Sequence, residues 1–182
     1  MSSKLSDSSG DSGAPRKRAL RRALAMLTYR PRSREEICRD LSVKGFKPDV
    51  VDDVVAELSE KRLLCDPSLA RDIVASGQRS GKSRAKIYSE LRRRGIDREV
   101  AEESLEACFD ASLEREAAVK AMDCLLTPHG HSPSCEDIEK AARKLAGRGF
   151  SSSAVAYALR DASARAGETD GSRFLDTVNK LP

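Results

Sequence analysis

The sequence has no tryptophan and few aromatic residues of any kind, three tyrosines and four phenylalanines among 182 residues. Sandwiches and barrels draw on aromatic and β-branched side chains, so this scarcity argues against both. Histidine is nearly absent, and its two copies, His129 and His131, share one Pro- and Gly-containing stretch. The five cysteines, Cys38, Cys65, Cys108, Cys124 and Cys135, include no C-x-x-C pair, which excludes the common zinc-knuckle and redox motifs. Most of them read as small apolar fillers in a reducing compartment. Cys124, His129, His131 and Cys135 match no standard finger spacing and read as incidental loop residues, so no metal is expected. No apolar run approaches the roughly 18 residues of a membrane span, and the first residues lack the apolar segment of a secretory signal. A soluble, cytoplasmic protein is expected.

What the chain has in quantity is alanine, 23 of its residues, whereas Leu, Ile, Val and Phe together number only 37. That is close to the lower limit of about 20% for chains that fold. A single thick core does not fit this composition. Short helices whose thin apolar stripes pack on neighbours do. Residues 1–15, rich in Ser, Gly and Asp, read as a disordered tail, and residues 167–182 as a flexible C-terminal tail with a weak helical turn near Phe174, Leu175 and Val178.

Between these ends the sequence repeats. Ser33, Ile37, Leu41, Gly45 and Phe46 are matched fifty residues later by Ser83, Ile87, Leu91, Gly95 and Ile96. A third copy starting at Asp137 keeps Leu145, Gly149 and Phe150, with Ala141 in place of Ile. Beyond each Gly the apolar positions again coincide: Val50, Val51, Val54, Val55 and Leu58 correspond to Val100, Ala101, Ser104, Leu105 and Cys108, then to Ala154, Val155, Ala158, Leu159 and Ala162. This is the spacing of one buried helix face, held in register three times. Ser33 and Glu36 form the pattern of a capping box, Pro48 suits a first helical turn, and Asp97 and Ser151 suit N-caps. The repeated Gly suits the left-handed residue that closes a helix. Each helix pair is preceded by another amphipathic stretch, carrying Leu20, Leu24 and Leu27, then Leu69, Ile73 and Val74, then Val119, Met122, Leu125 and Leu126. The expected fold is all-α: three tandem three-helix, helix-turn-helix-like repeats over residues 16–63, 64–110 and 111–166, forming an elongated, curved array.

The net charge of +4 conceals blocks of opposite sign. Residues 16–34 carry eight Lys and Arg and no acid, residues 35–77 sum to −4, residues 78–98 to +6 and residues 99–126 to −6. A polyanion or an acidic groove would meet both basic blocks at equivalent places of the first two repeats. The plainer reading, solvated helix faces, competes for each run. Arg92, Arg93 and Arg94 close a helix, where the dipole favours cations, whereas the cluster from Arg16 to Arg22 lies near a helix start, where it does not.

Catalytic chemistry is not expected. Ser76-Gly77-Gln-Arg-Ser-Gly81-Lys82-Ser83 resembles a phosphate-binding loop, but Ser76 replaces the first Gly and no strand precedes it; Gly81 to Ser83 reads as a turn with Ser83 as N-cap. The carboxylates lie on hydrophilic helix faces, and thin helical modules seldom gather titratable groups in a cleft. Phe46, Phe109, Phe150 and Tyr157 occupy core-like positions. Tyr29 and Tyr88 stand in basic surroundings and suit either base stacking or a core role.

The repeats, Gly turns and charge placement together resemble the RecX family of bacterial recombinase regulators. The resemblance covers roughly residues 18–165 and is carried by Ala23-Leu24-x-x-Leu27, by Arg30-x-Arg32-Ser33-Arg34-x-Glu36-Ile37, by Lys44-Gly45-Phe46, by Leu63-Leu64-x-Asp66-x-x-Leu69-Ala70, by the stretch from Gly81 to Ile96, and by Arg148-Gly149-Phe150. It implies a non-catalytic protein without cofactor, a monomer that binds the RecA filament on single-stranded DNA without sequence preference. Such a protein restrains ATP hydrolysis, strand exchange and filament extension in recombinational repair and the SOS response. Pro67 stands where the family usually has a second acid, and Leu69 where Phe is common. The residues expected to face filament or DNA are Arg16, Lys17, Arg18, Arg21, Arg22, Arg30, Arg32, Arg34, Arg84, Lys86, Tyr88, Arg92, Arg93 and Arg94. The alternative is a helix-turn-helix transcriptional regulator. Against it, the helices after Gly45, Gly95 and Gly149 start with acidic or small residues instead of the Asn, Gln or Arg of a major-groove reader.

Overall fold

A computed structural model describes residues 13–127 and 133–166. These form nine α-helices and no strand: α1 (Gly13–Tyr29), α2 (Arg34–Val43), α3 (Pro48–Glu60), α4 (Asp66–Arg79), α5 (Arg84–Arg93), α6 (Arg98–Cys108), α7 (Ala111–Leu126), α8 (Cys135–Gly147) and α9 (Ser152–Ala166). The described chain is all-α, built as tandem three-helix repeats. It divides into two compact units, one comprising the residues up to Ala70 with Arg92–Val100, the other Arg71–Leu91 with the residues from Ala101 onward.

In the first unit α1 packs on α2 and α3 around Ala19, Ala23, Ile37, Leu41, Val54 and Leu58, each fully buried. The expected stripe on α1 is rotated: Leu24 is exposed, Leu20 and Leu27 are half-buried, and the centre of the contact is made by Ala19 and Ala23. Alanine lets the backbones approach closely, and the leucines then fill the flanks. Gly13, Ala14 and Pro15, assigned to the tail on composition, form the first turn of α1, where Pro lacks nothing by having no N–H. In the second unit α7, α8 and α9 enclose Met122, Ile138, Leu145, Val155, Ala158 and Leu159. Ile73, Val74, Ile87, Leu91, Ile96, Ala101 and Leu105 of the middle repeat are buried as their spacing predicts.

The helix ends follow the residues that cap them. Ser33 and Glu36 form the expected capping box, and Pro48 opens α3. Gly45, Gly95 and Gly149 have φ of 81°, 75° and 80°, the left-handed conformation that ends each middle helix. The third repeat departs from the alignment. Its cap is Ser134, three residues before Asp137, and Asp137 becomes the acid of a second capping box, so α8 has 13 residues where α2 and α5 have 10. Phe150 is buried and Phe46 packs on the core of the first unit, but Tyr157 is half exposed, with the guanidinium of Arg115 5.7 Å from its ring centre. His129 and His131 lie outside the described residues, as do residues 1–12 and 167–182. No helix among the described residues is long and apolar enough to cross a membrane.

Candidate partner and nucleic-acid interface

The repeats are joined by a contact set that occurs twice. In the first unit the hydroxyl of Ser33, the cap of α2, donates to the carbonyl of Arg94 at 2.5 Å and accepts from the N–H of Glu36. The N–H of Arg34 donates to the Asp66 carboxylate at 2.9 Å. Gly95 lies so close to α2 that a Cβ on it would stand 2.5 Å from Cβ of Glu35. In the second unit the Ser83 hydroxyl donates to the carbonyl of Arg148 at 2.8 Å, the N–H of Arg84 donates to Glu114 at 3.1 Å, and a Cβ on Gly149 would stand 2.6 Å from Cβ of Ala85. Each joint thus unites the start of one middle helix, the Gly turn of the next repeat and an acid from that repeat's first helix. The equivalent Gly45 faces open space.

The side chains around these joints decide which cations remain for a partner. Arg16 pairs with Glu57 at 2.6 Å, and Arg22 makes a two-pronged contact with Asp40 at 2.5 and 2.9 Å. The Arg22 hydrogen bond lowers the Asp40 carboxyl below its ordinary range. Arg30 and Arg94 both bind Glu36, at 2.7 and 3.2 Å, and Arg94 also donates to the carbonyl of Pro31. Burial pushes the Glu36 carboxyl up, yet the hydrogen bonds from Arg30, Arg94 and the Ser33 N–H outweigh it and the net shift is downward. Arg34 donates to the Ser59 hydroxyl, and Arg92 to the carbonyl of Ile96. Arg32 is half-buried beside Asp40 with its Nε unpaired.

The basic block of residues 16–34 is therefore not without acid partners. They come from α2 and α3, that is, from the neighbouring negative block. Glu36, Asp40 and Glu57 were missed as partners of those arginines because their positions relative to α1 are set by packing; the i, i+4 spacing of Glu36 and Asp40 on α2 is the one local sign of a shared face. Lys17, Arg18 and Arg21 are exposed and have no ion-pair partner among the described residues, and the same holds for Arg84, Lys86 and Arg93. Tyr88 is half-buried, whereas Tyr29 ends α1 at 86% exposure. Of the fourteen expected residues, Arg16, Arg22, Arg30 and Arg94 are ion-paired, Arg34 and Arg92 are engaged in neutral hydrogen bonds, Arg32 and Tyr88 are half-buried, and Lys17, Arg18, Arg21, Arg84, Lys86 and Arg93 are exposed.

No cluster of three or more potential metal ligands exists among the described residues. The fold and its joints define a tandem three-helix repeat protein with exposed cationic surfaces. Residues 19–58 match the first three-helix domain of RecX and residues 66–105 the second. The chain is 33% identical over 144 residues to a regulatory protein RecX of Prosthecochloris aestuarii, covering 79% of this chain and 92% of that relative. It is 30% identical over 144 residues to the regulatory protein RecX of Bacillus subtilis, of whose length it covers 54%. The crystal structure of RecX from Lactobacillus salivarius superposes with a TM-score of 0.76 at 22% identity, over 82% of this chain and 97% of that one. This chain belongs to the RecX family, whose members are named for regulation and not for a catalysed reaction.

Proposed function

We propose that the chain is a non-catalytic regulator that binds the RecA recombinase and its filament on single-stranded DNA, chiefly inhibiting ATP hydrolysis, strand exchange and filament extension in recombinational repair and the SOS response. The observation that carries this reading is the repetition of exposed, unpaired cations: Lys17, Arg18 and Arg21 on α1, then Arg84, Lys86 and Arg93 on α5. Several modest contacts on one chain act as linked sites of high effective concentration, which suits a repetitive polyanionic partner. The protein works as a cytoplasmic monomer, and its DNA contacts are to backbone, without sequence preference. A transcriptional helix-turn-helix regulator is disfavoured, because α3 and α6 expose Asp49, Asp52, Asp53, Glu99 and Glu103, which repel a phosphate backbone.

DNA-dependent ATPase of the cognate RecA, with this protein titrated in at two salt concentrations, tests the reading. Inhibition at or below stoichiometric ratios, weaker at the higher salt, is expected; no effect at either salt overturns it. Replacing Lys17, Arg18 and Arg21 together by Ala is expected to weaken inhibition roughly 10-fold or more at low salt. Full inhibition by that variant removes α1 from the interface.

A further inference from the structure

We infer that the second unit holds a groove for the sugar-phosphate backbone of single-stranded nucleic acid, floored by the turn from Ser80 to Ser83 and walled by Lys86, Lys120 and Arg148. The inference rests on the DNA-binding part of the function proposed above and gives that contact a place. Two adjoining clefts, about 670 and 460 Å³, share Ser80, Gly81 and Ala121. Each volume lies within the roughly 300–1,000 Å³ of ligand sites.

Charge is the first reason for this assignment. Five cations line the two clefts, Arg79, Lys82, Lys86, Lys120 and Arg148, against a single carboxylate, Glu116. Lys82 is held by Glu90 at 2.6 Å, but the other four have no carboxylate partner among the described residues. Uncompensated like charges around a concavity focus a positive potential into it, and an anion relieves their repulsion.

Shape is the second. Gly81, Ala85, Ser89, Ala121 and Gly147 line the clefts with almost no side-chain bulk, so a chain can lie close to the protein backbone while long cationic side chains reach over it. The concavity is bounded by α5 on one side and by α7 and the end of α8 on the other, which suits one strand and not a duplex.

The donors select between a strand and a free nucleotide. The letters of the turn imitate a phosphate-binding loop, whose chemistry needs free backbone N–H groups at a helix start. Here the N–H of Arg84 is taken by Glu114 and that of Lys86 by the Ser83 hydroxyl. The hydroxyls of Ser80, Ser83 and Ser89 donate to the carbonyls of Ser76, Arg148 and Ala85. With these donors engaged the cradle for a terminal phosphate is incomplete, and recognition falls mainly to side-chain cations, which read a backbone without sequence.

The test is fluorescence anisotropy with a labelled oligothymidylate across a salt series, using the full chain, the triple variant Lys86→Ala, Lys120→Ala and Arg148→Ala, and a control triple, Arg71→Ala, Arg143→Ala and Arg160→Ala, which removes the same exposed charge outside the clefts. The cleft triple is expected to bind roughly 10- to 100-fold more weakly near 0.1 M salt and to shallow the log–log salt slope by about 2, with little change from the control. Unchanged circular dichroism and Tm in both variants exclude misfolding. Equal losses in both triples, or none in the cleft triple while the unaltered protein binds, overturn the groove and leave the proposed function standing. No binding by the unaltered protein overturns the DNA contact itself. Equally tight binding of a duplex of the same length overturns the single-strand assignment.

Discussion

The two joints between repeats share a backbone plan and differ in chemistry. At the Ser33 joint the carboxylate beneath the cap is Glu36, bound by the guanidinia of Arg30 and Arg94. At the Ser83 joint the buried carboxylate is Glu114, and its partners are neutral: the N–H of Arg84, and the N–H and hydroxyl of Ser151. Arg84 opens α5 and Ser151 precedes α9, so Glu114 sits at two helix N-termini, where aligned peptide dipoles favour an anion without a countercharge. Both joints hold the N–H of a helix start with a carboxylate, Asp66 for Arg34 and Glu114 for Arg84, but the Ser33 joint adds the ion-paired Glu36 where the Ser83 joint has Lys86. The added ion pairs respond to pH and salt; the Ser83 joint uses no cation and leaves Lys86 and Arg148 unpaired around the neighbouring cleft.

The sharpest way to break this comparison is to thicken the glycines. Gly95→Ala and Gly149→Ala each add the cost of a left-handed non-glycine residue, about 1–2 kcal/mol, to an overlap that must spread the joint, about 1–3 kcal/mol. A loss of roughly 3–4 kcal/mol is expected in urea unfolding for both, whereas Gly45→Ala, with open space beside it, should lose only the first part. Equal losses at all three positions would mean that the joints contribute nothing beyond helix termination.

Glu114→Ala comes next. It leaves two N–H groups and a hydroxyl without their acceptor, and about 2–4 kcal/mol of stability should go, largely insensitive to salt. The caps rank below it. Ser83→Ala removes an N-cap and an inter-repeat hydrogen bond, about 2 kcal/mol, while Ser134→Ala removes an N-cap alone, about 1 kcal/mol. Thermal unfolding of the two variants side by side distinguishes them.

The smallest effect is that of pH on the ionic joint. Glu36 and Asp40 have folded pKa values below their ordinary ones, so the stability they add is fully present above the unfolded value, about 4. It is lost as pH falls through the depressed folded values. The difference in Tm between the unaltered protein and Glu36→Gln should therefore be constant from pH 7 to about 5 and shrink below pH 4. A difference that does not shrink at all on acidification, down to the onset of acid unfolding, would show that the charge of Glu36 contributes nothing.

Much of the fold was legible because it rests on local rules. The period between Ser33, Gly45 and their counterparts marks helix starts and stops, and the apolar spacing after each Gly marks the buried face of α3, α6 and α9. Where a non-local contact decides, the reading stopped. Ser33 reaches a partner 61 residues away and Ser83 one 65 residues away, and no spacing rule links them. The rotation of α1 toward Ala19 and Ala23 also depends on what it packs against, since Leu24 is the better core residue by composition. The candidate surface suffered most. A run of arginines in sequence says nothing of which are neutralised by Asp40 and Glu57, and the cleft cations Lys120 and Arg148 lie far along the chain from the turn they surround.

The distances along the chain also set an order of events during synthesis. The Ser134 hydroxyl donates to Asp137, three residues on, so its cap closes as soon as α8 forms. The Ser33 hydroxyl must wait for the carbonyl of Arg94, which at roughly 5–20 residues per second emerges some 3–12 s later. During that interval the start of α2 is capped but not latched, and the first repeat meets the cell as a three-helix fragment with one face still vacant.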